Sequence, residues 1–97
     1  MVADNRLIQQ VLKGDRSAFQ QLVERYQNYV FSIALKIVRT REEAEEVAQD
    51  VFLKVFQQLS TFEEKSRFST WLYTIAYRTA IDYVRRKRPD VDSLDDD

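Results

Sequence analysis

This chain gives its backbone almost nowhere to break: one glycine, Gly14, and one proline, Pro89, stand in 97 residues. Hairpins and sheet corners rely on such residues for turn conformations that others avoid, so a β architecture would lack its corners. Better helix formers, among them Leu, Ala, Glu, Gln, Lys and Arg, fill the sequence instead. The reading is all-α, and the length suits one compact domain rather than two. Cysteine is absent, which excludes disulfides and thiolate metal sites and makes a reducing cytoplasm the expected location. Charged or glutamine residues interrupt each apolar run before it reaches membrane-spanning length, so membrane insertion is not expected.

Apolar spacing predicts a small bundle of three main helices plus a short N-terminal one. Leu7, Ile8, Val11 and Leu12 give a short helix over about 4–13, which Gly14 is placed to end. Asp15 offers an N-cap carboxylate for a long helix whose stripe of Phe19, Leu22, Val23, Tyr26, Val30, Ile33, Ala34 and Ile37 runs to about Arg39. Thr40-Arg41-Glu42-Glu43 matches a capping box that opens a third helix. Ala44, Val47, Ala48, Val51, Phe52, Val55 and Leu59 form its apolar face, with Glu45, Glu46, Gln49, Asp50 and Lys54 on the other side. Periodicity lapses over 60–67, which reads as a loop. Ser69 or Thr70 is the expected cap of a last helix that turns Leu72, Ile75, Ala76, Thr79, Ala80 and Tyr83 inward and ends near Pro89. The domain thus covers 1–89, and 90–97 reads as an acidic, disordered linker.

The formal net charge of −1 conceals a segregation along the chain. Residues 1–39 are mildly basic, whereas 40–64 are acidic, with Arg41 and Lys54 facing Glu42, Glu43, Glu45, Glu46, Asp50, Glu63 and Glu64. Over 65–89 Lys65, Arg67, Arg78, Arg85, Arg86, Lys87 and Arg88 stand against Asp82 alone, and the tail is acidic again. This pattern suits a nucleic-acid surface after Glu64 and a different partner for the segment before it. Catalysis has little to work with: there is no histidine, thiol, glycine-rich phosphate loop or serine nucleophile turn, so an enzyme is not expected. Glu42, Glu43, Glu45 and Glu46 suit the positive end of a helix dipole without any metal, and no cofactor is expected.

Phe68-Ser69-Thr70-Trp71-Leu72-Tyr73, with Tyr77 and the basic run behind it, interleaves aromatics and cations as single-stranded DNA binding requires. Phe68, Trp71 and Tyr73 are equally plausible as core side chains of a bundle, and a basic run is commonly just solvated. Their order separates these readings. Val11-Leu12-Lys13-Gly14-Asp15, Ala44-Glu45-Glu46-Val47-Ala48-Gln49-Asp50-Val51-Phe52 and the Phe68–Tyr73 block, continued by Ile75-Ala76 and Ala80-Ile81-Asp82-Tyr83, together resemble region 2 of extracytoplasmic-function (ECF) sigma factors of bacterial RNA polymerase.

That resemblance implies a non-enzymatic specificity module. Its central helix would dock on the clamp helices of the largest catalytic subunit of core RNA polymerase through Glu46, Gln49 and Asp50, with Leu53, Lys54 and Phe56 extending the patch. The loop and last helix would open the promoter minus-ten element and hold its non-template strand. Phe62, Phe68 and Trp71 are then candidate walls of a pocket for a flipped base, with Ser69, Thr70 and Tyr77 beside them, while Lys65, Arg67, Arg78, Arg85, Arg86 and Arg88 hold the backbone. Two departures bear on base preference and class. Arg78 stands where many relatives carry asparagine, and Thr74 and Ile75 stand where housekeeping sigma factors carry paired tryptophans. The relatives continue into a helix-turn-helix domain that this chain lacks, so the chain reads as one part of a larger protein. The rival readings are a sigma-like module held by an anti-sigma factor, and a generic double-stranded DNA binder using only the basic run.

Overall fold

A computed structural model describes residues 2–88 of the chain. Four α-helices follow one another: α1 (Asp4–Leu12), α2 (Arg16–Leu35), α3 (Arg41–Gln58) and α4 (Phe68–Lys87), with a 3₁₀ turn (Leu59–Thr61) closing α3. Among the described residues there is no strand, and the expected bundle is what the chain forms. The acidic segment 90–97 lies outside the described residues.

The first joint is made by two adjacent residues with opposite tasks. Gly14 has φ +99, and its N–H donates to the Val11 carbonyl while that of Asp15 donates to Gln10, the paired bonds of a Schellman C-cap. Asp15 then starts α2, its carboxylate accepting from the N–H groups of Ser17 and Ala18 at 2.9 and 3.2 Å. The Ser17 hydroxyl and these amides hold its pKa below the usual value. A Cβ on Gly14 would meet nothing within 4 Å, so Gly14→Ala carries backbone strain alone. It should destabilise by about 1–2 kcal/mol, seen as a lower urea midpoint with unchanged slope; an unchanged midpoint would mean that the joint tolerates another geometry.

Helix α2 stops at Leu35, one turn short of the expected Arg39: the N–H groups of Lys36 and Ile37 donate to Ile33 and Ala34, three residues back, and the chain leaves the helix before Thr40 takes the extended backbone (φ −122, ψ 159) that caps α3. The capping box is formed in full. Glu43 N–H donates to Thr40 Oγ1 at 3.1 Å, and Glu43 Oε1 accepts from the N–H groups of Thr40 and Arg39 at 3.2 and 3.1 Å. Unforeseen from sequence, Arg88 reaches back from the end of α4, its Nη2 at 2.8 and 2.6 Å from the two Glu43 oxygens. That guanidinium, with help from the two backbone amides and against the effect of burial, lowers the Glu43 pKa. A depressed carboxylate pKa stabilises the fold at neutral pH, and the contribution is lost as pH falls through the folded-state value. Arg88→Ala, which removes only the ion pair, should lower the thermal midpoint slightly. Glu43→Ala removes pair and cap together and should lower the thermal midpoint further; the reverse order would show that the pair, and not the cap, organises this corner.

The helices close on one core. Leu7, Leu22, Leu59 and Leu72 are essentially inaccessible, as are Val30, Val47, Val51 and Val55, each worth about 1.5–3 kcal/mol against exposure. Helix α3 runs antiparallel to α4, as three links along their length require: Glu43 to Arg88, Glu46 to Tyr83, and Lys54 to Thr79.

Candidate functional site

Helix α4 begins at Phe68, not behind a Ser69 or Thr70 cap. Arg67 is the N-cap and makes no side-chain capping bond, and Ser69 and Thr70 fall within the first turn. The start is set by packing. Phe68 is 3 % exposed and meets the rings of Tyr26, Phe62 and Trp71 at 5.3, 5.7 and 5.8 Å between centroids. The Tyr29 hydroxyl holds the turn from outside by donating to the Ser69 carbonyl at 3.3 Å.

Phe62 and Trp71, both half-buried, lean on each other at 5.2 Å. Phe62, Phe68 and Trp71 therefore fill one another's space. They form a ledge with Phe68 beneath it, not the three walls of a pocket, and only Phe62 and Trp71 keep outward surface. The open cleft lies alongside. Its volume is about 680 Å³, and Asp4, Asn5, Tyr26, Lys65, Ser66 and Arg67 line it. Sequence reading missed Asp4, Asn5, Tyr26 and Ser66, and also Ala3 and Glu64, which line it too. Only Tyr26 carried a signal, as an aromatic with a polar tip on a core stripe.

Of the two acids lining this cleft, Glu64 is exposed and Asp4 is already engaged. Asp4 accepts from the Arg25 guanidinium at 2.7 Å and from the Tyr26 hydroxyl. Burial, then this bond, push the Tyr26 phenol up to about 12. Lys65 is exposed and its pairing with Glu63 at 3.6 Å is loose, the kind of contact a phosphate displaces readily.

The remaining cations separate by position. Arg67 and Arg78 are exposed, and Trp71, Arg78 and Arg85, seven residues apart, follow one stripe of α4. Arg88, assigned from sequence to the DNA backbone, has a side chain only 17 % exposed and bound to Glu43. Arg86 lines a cleft between α3 and α4. Tyr77 lies about 120° round the helix from Trp71 and stacks on Tyr73 at 6.1 Å over a groove with Ile33 and Ile37, apart from the ledge.

On α3 the face opposite the core is open. Glu46, Gln49 and Asp50 are exposed, as are Leu53 (57 %) and Phe56 (54 %), two large apolar side chains that the core leaves unused. Phe56 meets the edge of Phe19 at 5.1 Å. The Lys54 ammonium, expected to extend this patch, turns toward α4 and donates to Thr79 Oγ1 at 3.2 Å. Gln49 stands on a ridge, lining the α3/α4 cleft on one flank and a second cleft with Asn28, Phe31 and Arg41 on the other.

Comparison with known families places these features in one lineage. Residues 22–89 match the family described as Sigma-70 region 2. The chain belongs to that family. Relatives of this region 2 domain include the ECF RNA polymerase sigma factor SigW of Bacillus subtilis, 37 % identical over 83 residues that make up 86 % of this chain and 44 % of that protein. The ECF RNA polymerase sigma-E factor of Escherichia coli is 38 % identical over 99 residues, 97 % of this chain and 51 % of that protein. The domain thus spans about half the length of these relatives. Its fold is similar to an engineered region 2 of sigmaE solved by NMR in complex with GTAAAA, with a TM-score of 0.81 and 38 % identity, covering 90 % of this chain and 95 % of that one. Among the described residues no helix of the region 2 domain is long and apolar enough to cross a membrane.

Proposed function

We propose that this domain docks on core RNA polymerase through the exposed face of α3 and holds unpaired non-template bases of a promoter minus-ten element where the 62–67 loop meets α4. The observation that carries the reading is the pairing of an aromatic ledge with an open cleft in which Asp4 is already tied to Arg25 and Glu64 stands exposed beside Lys65, in a domain whose fold matches an engineered region 2 of sigmaE in complex with GTAAAA. A base leaving the duplex stacks on Trp71 and Phe62, with Phe68 as the support beneath them. Its edge, or that of its neighbour, meets the polar cleft. Lys65 and Arg67 flank the opening and Arg78 and Arg85 continue the track, while Ser69 and Thr70 offer hydroxyls to the sugar-phosphate chain. Flipping costs a few kcal/mol of unstacking, so binding energy offered only to an unpaired base couples recognition to melting without a catalytic group. Such a module acts in the cytoplasm with its polymerase.

Docking falls to Glu46, Gln49 and Asp50, with Leu53 and Phe56 supplying apolar area that a solvated helix has no need to expose. The clamp helices of the largest catalytic subunit are the proposed counterpart. The test is binding of the domain to core enzyme beside a Gln49→Ala, Asp50→Ala variant of equal helicity. The variant should bind at least about tenfold more weakly; equal affinity would remove α3 from the interface, and a parent that binds an anti-sigma factor but not core would favour the regulatory reading.

A further inference from the structure

We infer that Arg86 and Lys87 belong to the protein-docking surface, forming with Glu46, Gln49 and Asp50 one mixed-charge cleft that receives a charged helix of the polymerase. This rests on the docking role proposed for α3 and extends it onto α4; it removes half of the Arg85–Arg88 run from the DNA track.

The antiparallel pairing of α3 and α4 carries the C-terminal end of α4 beside the first half of α3. The cleft between them is lined by Glu46, Gln49, Asp50, Tyr83, Arg86 and Lys87. Tyr83 forms its floor. It is 6 % exposed, donates its hydroxyl to Glu46 Oε2 at 2.7 Å, and carries the Lys87 ammonium over its ring at 5.7 Å. One buried side chain thus fixes an acid on one wall and a base on the other.

Helix geometry separates this cleft from the nucleic-acid stripe. Arg78 and Arg85 follow Trp71 at intervals of seven and stay within about 40° of its line, whereas Arg86 lies on the α3 side of that line and Lys87 farther round. A DNA strand led into the cleft would set its phosphates against Glu46 and Asp50, which repel them. A protein helix bearing both signs satisfies both walls, its bases toward α3 and its acids toward α4, and the same contact continues onto the exposed Gln49 and Leu53.

The experiment compares the domain with an Arg86→Ala, Lys87→Ala variant and an Arg78→Ala, Arg85→Ala variant, all with matched circular dichroism. Affinity for core polymerase is measured first, then the salt dependence of binding to a single-stranded oligonucleotide containing GTAAAA. The Arg86/Lys87 variant should lose about tenfold or more in core affinity and keep the parent's salt slope. The Arg78/Arg85 variant should keep core affinity and lose about 1.4 from the slope, about 0.7 for each single-strand phosphate contact. A reduced slope in the Arg86/Lys87 variant, or unchanged core affinity, overturns the inference. A parent that does not bind core removes the α3 docking reading itself and this extension with it, a result distinct from a failure of the variant alone.

Discussion

Phe68→Ala is expected to destabilise the domain by about 3–5 kcal/mol, the range for deleting a buried phenylalanine. Total stability of a domain this size is about 5–15 kcal/mol, so much of the population would be at risk of unfolding. The size follows from position. Phe68 is 3 % exposed, starts α4, and carries ring contacts to Tyr26, Phe62 and Trp71, so its removal frees the helix start, the loop and the cleft wall at once. Urea unfolding followed by circular dichroism measures it, and Phe68→Leu should recover most of the loss. A cost below about 1 kcal/mol would mean that the cluster collapses around the gap and that Phe68 does not anchor the site.

Trp71→Ala should act in the opposite way, sparing the fold and weakening single-stranded DNA binding. Its indole is half-buried and leans on Phe62 at 5.2 Å, which leaves surface for one base. Base–aromatic stacking is worth about 1–3 kcal/mol, which corresponds to roughly 5–150-fold in affinity. Trp71 is the sole tryptophan, so quenching of its fluorescence in the parent reports the stacking directly. Core polymerase binding and duplex binding should be unchanged in the variant. Equal losses on single- and double-stranded DNA would defeat the base-capture reading and leave a general DNA binder.

Phe68 and Trp71 stand three residues apart in one aromatic block and are chemically alike, and sequence offered no ground for separating them. Rotation about α4 and the position of Tyr26 on α2 separate them, sending one ring inward and leaving the other at the edge. Arg85, Arg86 and Arg88 make the same point with charge. As a run they are interchangeable, but 100° of rotation per residue sends each toward a different neighbour. Arg88 meets Glu43, a partner 45 residues away that no local pattern could name. Asp4 and Asn5 joined the cleft only because α1 folds back across α2 and the loop.

Features that depend on near neighbours were legible in the chain alone: the all-α class, the Gly14-Asp15 joint, the Thr40 capping box, the core stripes and the open face of α3. Those features follow from a 3.6-residue repeat and from hydrogen bonds spanning a few positions, so the chemistry and its spacing are both present in the one-dimensional string. Tertiary structure alone decided which aromatic is floor and which is ledge, where the cleft opens, why α4 starts without a side-chain cap, and how a single basic run is parted, Arg88 toward Glu43 and Arg86 and Lys87 toward the cleft beside α3. Each of those depends on which helix lies against which and at what rotation, and that is settled by filling one shared core, a condition no segment can meet on its own.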